Sequence, residues 1–309
     1  MTNKMKMISG VLAFVALGLA GTARAADAPA KGIGPDAETR ADIQKTLGFV
    51  PQFFTRMPTL AVTGAWEEMK GLQMNPSTAL PGRTKELIGL AVASQIPCRY
   101  CILAHTEFAK LNGASAEEIG DAVTMAALTR HWSTVLNGTQ TDEAQFRAEI
   151  GKLVAGAKQA AASHAAPPKP GIVTDGASAN RDAAMMLGFA PEFIKKFPEA
   201  GRAGAWREFR DLQLNPGTAL SPKAKELAGL AVASQIPCRY CIIAHTEFAK
   251  LAGATDGEIS EAIAMAALTR NLSTELNGLQ VDEPQFKRDI DKLVKNATAA
   301  KKQQTTAKR

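Results

Sequence analysis

The sequence predicts an all-α protein built as two tandem helical bundles, and three observations carry that prediction. The chain of 309 residues repeats itself at an offset of 140. Leu47-Gly48-Phe49-Val50-Pro51 returns as Leu187-Gly188-Phe189-Ala190-Pro191, and Lys85–Leu111 returns as Lys225–Leu251 with two changes, Ile88 to Ala228 and Leu103 to Ile243. Apolar residues recur at helical spacing between helix start and stop signals, while no alternating run is long enough to mark a strand. Aromatic residues make up 6% of the chain and alanine is abundant, a composition that leans towards helix. A 140-residue period is a domain duplication, well beyond the ~20–50 residues of a solenoid repeat.

Taken in order, residues 1–25 read as a secretory signal peptide. Lys4 and Lys6 form a basic start, Ile8–Gly21 an apolar run, and Ala23-Arg24-Ala25 a small-residue cleavage site. The run is short for a membrane span, which needs about 20 apolar residues. The expectation is an exported protein of the bacterial periplasm, off the membrane once the signal is removed.

The first repeat covers residues 26–161. After a polar lead, Ala61–Met74 is a helix halted at Asn75-Pro76. Arg83–Ile96 is apolar on most sides and predicts a buried helix. Pro97 suits the first position of the next helix, where a missing N–H costs nothing, and that helix runs to Leu111 before Asn112-Gly113. Ser115-Ala116-Glu117-Glu118 forms a capping-box signature for a helix from Ala116 to about Leu136, and Asp142 caps a last helix, Glu143–Ala157. A linker, 162–174, is rich in Ala and Pro, and the second repeat, 175–309, ends in a basic tail.

Charge excludes more than it suggests. The formal +6 includes Lys4, Lys6 and Arg24, so a chain without residues 1–25 carries +3, part of it in the terminal Lys-Lys-Gln-Gln-Thr-Thr-Ala-Lys-Arg. Nucleic-acid binding wants a clustered basic face, which this is not.

All four cysteines lie in two copies of one stretch, Pro97-Cys98-Arg99-Tyr100-Cys101-Ile102-Leu103-Ala104-His105 and Pro237-Cys238-Arg239-Tyr240-Cys241-Ile242-Ile243-Ala244-His245. On a helix turning about 100° per residue, Cys98, Cys101 and His105 fall within roughly 60° of arc. A C-x-x-C at a helix start is suited to a reversible disulfide, because free N–H groups and the helix dipole favour thiolate. An imidazole titrates near neutrality, so His105 and His245 are candidates for taking a thiol proton. Glu86 and Glu226 sit on otherwise apolar helices and need partners there. If the chain folds back at Pro97, Glu86 meets His105. Ser94 and Ser234 lie near the turn, and Tyr100 and Tyr240 lie inside the dithiol loop, where each is a candidate gate or hydrogen-bond donor.

Other readings of these residues stay open. The four cysteines suit two structural disulfides, although a bridge around two residues constrains little chain entropy. Two Cys and a His per copy, with Glu86, also suit zinc. A histidine on an apolar stripe is often only packed. His131, replaced by Asn271 in the other copy, and His164 in the linker have no partner in the pattern, and Trp66 and Trp206 read as core.

The pattern Glu86, Ser94, Cys98, Tyr100, Cys101, His105, repeated as Glu226, Ser234, Cys238, Tyr240, Cys241, His245, resembles the dithiol signature of the AhpD-like alkylhydroperoxidases within the carboxymuconolactone decarboxylase family. The resemblance implies an all-helical, commonly oligomeric fold and a peroxidase or disulfide-reductase activity without a bound cofactor or metal. It implies that Cys101 and Cys241 attack a small peroxide and that Cys98 and Cys238 resolve the sulfenic acid to a disulfide. Glu86–His105 and Glu226–His245 then relay protons. Helix geometry alone ranks the cysteines the other way, since Cys98 is nearer the helix N-terminus. Cytosolic relatives are recharged by a lipoyl-bearing partner, to which an exported protein has no obvious access, so the thiol reductant is unidentified. A thiol–disulfide oxidoreductase and a decarboxylase are the competing activities.

Overall fold

In the computed structural model, described for residues 32–164 and 166–307, thirteen helices and no strand are found; one isolated bridge joins Ile33 to Pro58. The signal-peptide assignment lies outside the described residues. No helix among the described residues is long and apolar enough to cross a membrane.

The first repeat contributes α1 (Ala37–Leu47), α2 (Thr59–Glu68), α3 (Gly82–Gln95), α4 (Arg99–Leu111), α5 (Ala116–Gly138) and α6 (Glu143–Ala162). The second contributes α7 (Gly176–Leu187), the short α8 (Glu192–Lys195), α9 (Glu199–Glu208), α10 (Pro222–Gln235), α11 (Arg239–Leu251), α12 (Asp256–Gly278) and α13 (Glu283–Ala307). α2 does not run evenly to Met74. It passes into a π-helical turn, Met69–Gln73, and α9 does the same at Phe209–Gln213. The capping box at Ser115–Glu118 is present, and Asp142 caps α6 through the Gln145 N–H. α6 continues five residues past the expected Ala157, because Lys158-Gln159-Ala160-Ala161-Ala162 offers no stop signal.

Pro97 is not the first helical residue. Cys98 is the N-cap of α4, with extended backbone (φ −84°, ψ 100°), and its Sγ accepts the Cys101 N–H at 3.2 Å. A side-chain acceptor at this position satisfies an otherwise orphaned donor of the first turn, so the helix begins one residue later at Arg99.

α3 and α10 pack on each other at the centre, flanked by α5 and α12. Their contact is an alanine-rich core that includes Ile88, Ala91, Val92, Ala228, Ala231 and Val232. Two outer cores each draw on both repeats. One joins Met125, Leu128, Trp132, Phe146 and Ile150 of the first repeat to Phe193, Trp206 and Cys241 of the second. The other joins Phe54, Trp66 and Cys101 to Leu276, Phe286 and Ile290. Trp66 and Trp206 are fully buried core residues. The repeats are therefore interleaved, with α13 lying on α4 and α6 on α11.

The interleaving is reciprocal. Tyr100 donates to the Val281 carbonyl and Tyr240 to the Thr141 carbonyl, both at 2.6 Å. Arg99 pairs with Glu283 at 3.0 Å and Arg239 with Glu143 at 2.9 Å. Each contact reappears with its two ends exchanged between repeats, the signature of a two-fold relation.

Candidate functional site

Each dithiol lies where α3 turns into α4, or α10 into α11. Cys98 and Cys101 are joined as a disulfide with their Cα atoms 5.3 Å apart, as are Cys238 and Cys241 at the same spacing. All four are buried. The two members of each pair differ in what they face. Cys101 and Cys241 line a cavity; Cys98 and Cys238 do not, and instead collect donors. Besides the Cys101 N–H, Cys98 Sγ receives Asn277 Nδ2 of α12 at 3.6 Å. Cys238 Sγ receives the Cys241 N–H at 3.3 Å and Asn137 Nδ2 of α5 at 3.6 Å.

The fold-back places Glu86 against His105. Glu86 Oε2 and His105 Nδ1 are 2.7 Å apart, as are Glu226 Oε2 and His245 Nδ1. A carboxylate only accepts, so Nδ1 carries the proton and Nε2 is the free acceptor. Nε2 of His105 receives the Thr269 hydroxyl at 3.3 Å, and Nε2 of His245 receives that of Thr129 at 3.3 Å. Both Glu86 (4% exposed) and His105 (6%) are buried, so this is a charge-assisted hydrogen bond in a low-dielectric setting. Gln73 Nε2 donates to both oxygens of Glu86, at 3.0 and 3.2 Å, and Gln213 does the same for Glu226 at 3.0 and 3.3 Å.

Two local devices make this geometry. Gly89 faces the His105 ring so closely that an added Cβ would overlap Cε1, Nδ1 and Nε2; Gly229 and His245 repeat the arrangement. The second device holds the glutamine. Lys85, fully buried, donates to the Leu72 and Asn75 carbonyls at 2.7 Å, on either side of the turn that carries Gln73. Lys225 donates likewise to Leu212 and Asn215, at 2.7 and 2.6 Å. Burial pushes the Lys225 ammonium below its ordinary pKa, against the opposing pull of the Glu226 and Asp121 carboxylates.

Not every expected member joins the site. Ser94 and Ser234 are only half-buried, line neither cavity and make no hydrogen bond to the dithiols or the Glu–His pairs among the described residues. Tyr100 and Tyr240 point their hydroxyls at backbone of the other repeat, away from the dithiol, and fasten the two repeats together. His131 reaches Glu208 at 3.9 Å and stacks on Trp132, with no hydrogen bond to either dithiol among the described residues.

Sequence reasoning missed Gln73, Gln213, Thr129, Thr269, Asn137 and Asn277. A signal was present for the last four. Thr129, Ser133 and Asn137 recur at four-residue spacing on α5, as do Thr269, Ser273 and Asn277 on α12. A repeated polar stripe on a helix otherwise rich in Ala and Leu needs buried partners. Those partners are in the opposite repeat, so neither dithiol site is complete without it.

The pattern that describes the carboxymuconolactone decarboxylase family matches residues 61–141 and again residues 202–283, together more than half of the chain. Among curated proteins the chain is similar to uncharacterized protein 4 in cox locus of Paracoccus denitrificans, 44% identical over 52 residues, which is 17% of this chain and 47% of that protein. The match thus spans about half the length of that relative. No solved structure matches.

Proposed function

The chain belongs to the carboxymuconolactone decarboxylase family, and we propose that it is a thiol-dependent peroxidase acting through two C-x-x-C dithiols. The observation that carries this reading is the unequal setting of the two sulfurs, one opening onto a cavity and one held among donors.

In the reduced protein, His105 Nε2 takes the proton of the Cys101 thiol through the Thr269 hydroxyl bonded to it, while Glu86 stabilises the resulting imidazolium through Nδ1. The Cys101 thiolate attacks the distal oxygen of the hydroperoxide and the O–O bond breaks. Sulfur gains oxygen as sulfenic acid, and the alkoxide takes the imidazolium proton and leaves as alcohol. The Cys98 thiolate, favoured by the Cys101 N–H and the Asn277 amide, then displaces the sulfenic oxygen, which leaves as water with the proton that the Cys98 thiol gave up, and the disulfide forms. Peroxide is reduced by two electrons and the dithiol is oxidised by two.

An external dithiol returns the disulfide to the dithiol and is itself oxidised to a disulfide. Attack at Cys101, the sulfur on the cavity, expels Cys98 as a thiolate that its two donors stabilise. The Cys98 environment makes it a good leaving group, and access makes Cys101 the attacking atom. Burial of all four sulfurs favours small molecules over protein disulfides as substrates. We read the protein as exported, which makes the reductant a dithiol available outside the cytosol.

The test is a single turnover. Fully reduced protein is mixed with one equivalent of cumene hydroperoxide per dithiol, and free thiols and cumyl alcohol are followed together. The proposal expects two thiols lost per alcohol formed. Thiol loss no faster than in a free peptide spanning Pro97–His105 refutes it.

A further inference from the structure

The two sites have unequal cavities. The cavity at Cys241, Glu226 and His245 has a volume of about 660 Å³, whereas that at Cys101, Glu86 and His105 has about 300 Å³. The difference does not come from the dithiol end, where the repeats are nearly identical. It comes from the far end, where α6 borders the larger cavity and α13 the smaller.

Along α13, Asn296 donates to the Leu47 carbonyl at 2.9 Å and lies over Gly48, whose added Cβ would meet Asn296 Nδ2 at 2.9 Å. Lys301 reaches the Leu111 carbonyl at 2.7 Å, and Lys292 sits 4.1 Å from the centre of the Phe49 ring. These contacts draw α13 across the end of the smaller cavity. The corresponding residues of α6 are Gly156 for Asn296 and Ala161 for Lys301. Without those side chains the larger cavity runs on past Gly156, Ala157 and Ala160 to Pro168, Met185 and Gly188.

The chemistry of the larger cavity is that of an apolar tube with a reactive end. Polar side chains border it at Thr129, Gln213, Glu226 and His245, beside Cys241, and most of the remaining wall is apolar. Trp132 also lines it and adds a large apolar ring to the wall. In the smaller cavity Leu272 stands in the place of Trp132.

We propose that the two dithiols serve substrates of different size. The Cys238–Cys241 site takes long-chain apolar hydroperoxides, and the Cys98–Cys101 site takes short ones. The substrate assignment rests on the peroxidase reading; the difference in cavity length does not. The reaction at Cys241 is balanced as at Cys101: the distal oxygen passes to Cys241 Sγ, the long-chain alcohol leaves, and Cys238 releases water on closing the disulfide.

The experiment uses the full chain with one dithiol removed at a time, as the Cys98→Ser/Cys101→Ser and Cys238→Ser/Cys241→Ser variants. Single-turnover thiol loss is measured with the hydroperoxide of methyl linoleate and with tert-butyl hydroperoxide, and each variant is reported as the long-to-short rate ratio. A pocket that admits or rejects even one methylene discriminates by roughly 10-fold or more. The ratio is therefore expected to be at least about tenfold higher at the Cys238–Cys241 site. Gly156→Asn should lower it at that site, and Asn296→Gly should raise it at the other. Equal ratios at both sites, or no response to either substitution, overturn the proposal.

Binding of methyl parinarate, a fluorescent polyene ester that does not react with thiols, separates this from the peroxidase reading. Loss of binding in Gly156→Asn, in a protein that consumes no hydroperoxide, refutes the peroxidase and keeps the long cavity. Unchanged binding refutes the long cavity.

Discussion

Gly89→Ala should destabilise the protein, although alanine is the better helix former. In α3 the change gains about 1 kcal/mol from backbone propensity. Against this, the new Cβ overlaps the His105 ring, and overpacking of this kind costs ~1–3 kcal/mol. The ring is fixed from the other side by Glu86 and Thr269. Relief of the clash therefore breaks a hydrogen bond to a charged group, which contributes ~1.5–3 kcal/mol. The balance is a net loss of about 1.5–5 kcal/mol. Gly120, exposed on α5 with nothing near its Cβ position, is the control, and Gly120→Ala should stabilise by up to ~1 kcal/mol. Urea denaturation of both variants measures the contrast. In a His105→Ala background the Gly89→Ala cost should largely vanish, because the clashing ring is gone. A neutral Gly89→Ala, or a cost that simply adds to that of His105→Ala, refutes the close approach as the reason for this glycine.

The remaining predictions concern the relay, its completion across the repeats and the packing of the second repeat. Glu86→Gln keeps the shape of the pair but removes the charge that stabilises the imidazolium, and should slow thiol oxidation at Cys101 by ~10²-fold or more. The Cys241 site in the same chain is the internal reference, followed by peptide mass, and equal slowing at both sites contradicts a local relay. Thr269→Val should slow the Cys98–Cys101 site and leave the Cys238–Cys241 site unaffected, although Thr269 belongs to the second repeat; the reverse pattern contradicts the interleaving. Burial alone would raise the pKa of Asp182, but hydrogen bonds from the Trp206 indole, the Arg210 guanidinium and the Gly171 N–H hold its carboxyl below the ordinary range. A depressed carboxylate adds stability above its unfolded pKa and loses it as pH falls through the folded value. Asp182→Asn should therefore cost ~3–5 kcal/mol at neutral pH and progressively less in acid, read by urea titrations from pH 7 downward. A cost independent of pH contradicts the ionic role.

Local patterns were legible in the sequence and long-range pairings were not. Helices α3, α4 and α5 follow from apolar spacing, Pro and Gly stops and one capping box, all of which act within a few residues. The approach of Glu86 to His105 was legible because a single reversal between adjacent helices creates it. The start of α4 was misread because proline at a first helical position is a common arrangement, whereas here a thiol caps the helix. Thr269 and Asn277 complete a site 164 and 179 residues away, and nothing local says which repeat will face which. The cavities differ through side chains at the far end of the last helix of each repeat, Gly156 against Asn296 above all, where flanking similarity conceals the change. The repeat announced two sites; their mutual completion is a property of packing.

In the proposed mechanism Cys101 and Cys241 are the attacking sulfurs, and Cys98 and Cys238 resolve. The most direct measurement is sulfenic acid trapping with a cyclic dione, followed by peptide mass, after one equivalent of hydroperoxide. In the Cys98→Ser/Cys238→Ser protein, the trap should appear on Cys101 and Cys241 and no disulfide should form. In the Cys101→Ser/Cys241→Ser protein, it should appear nowhere. Adducts on Cys98 and Cys238 in that second protein, formed as fast as those on Cys101 and Cys241 in the first, would contradict it.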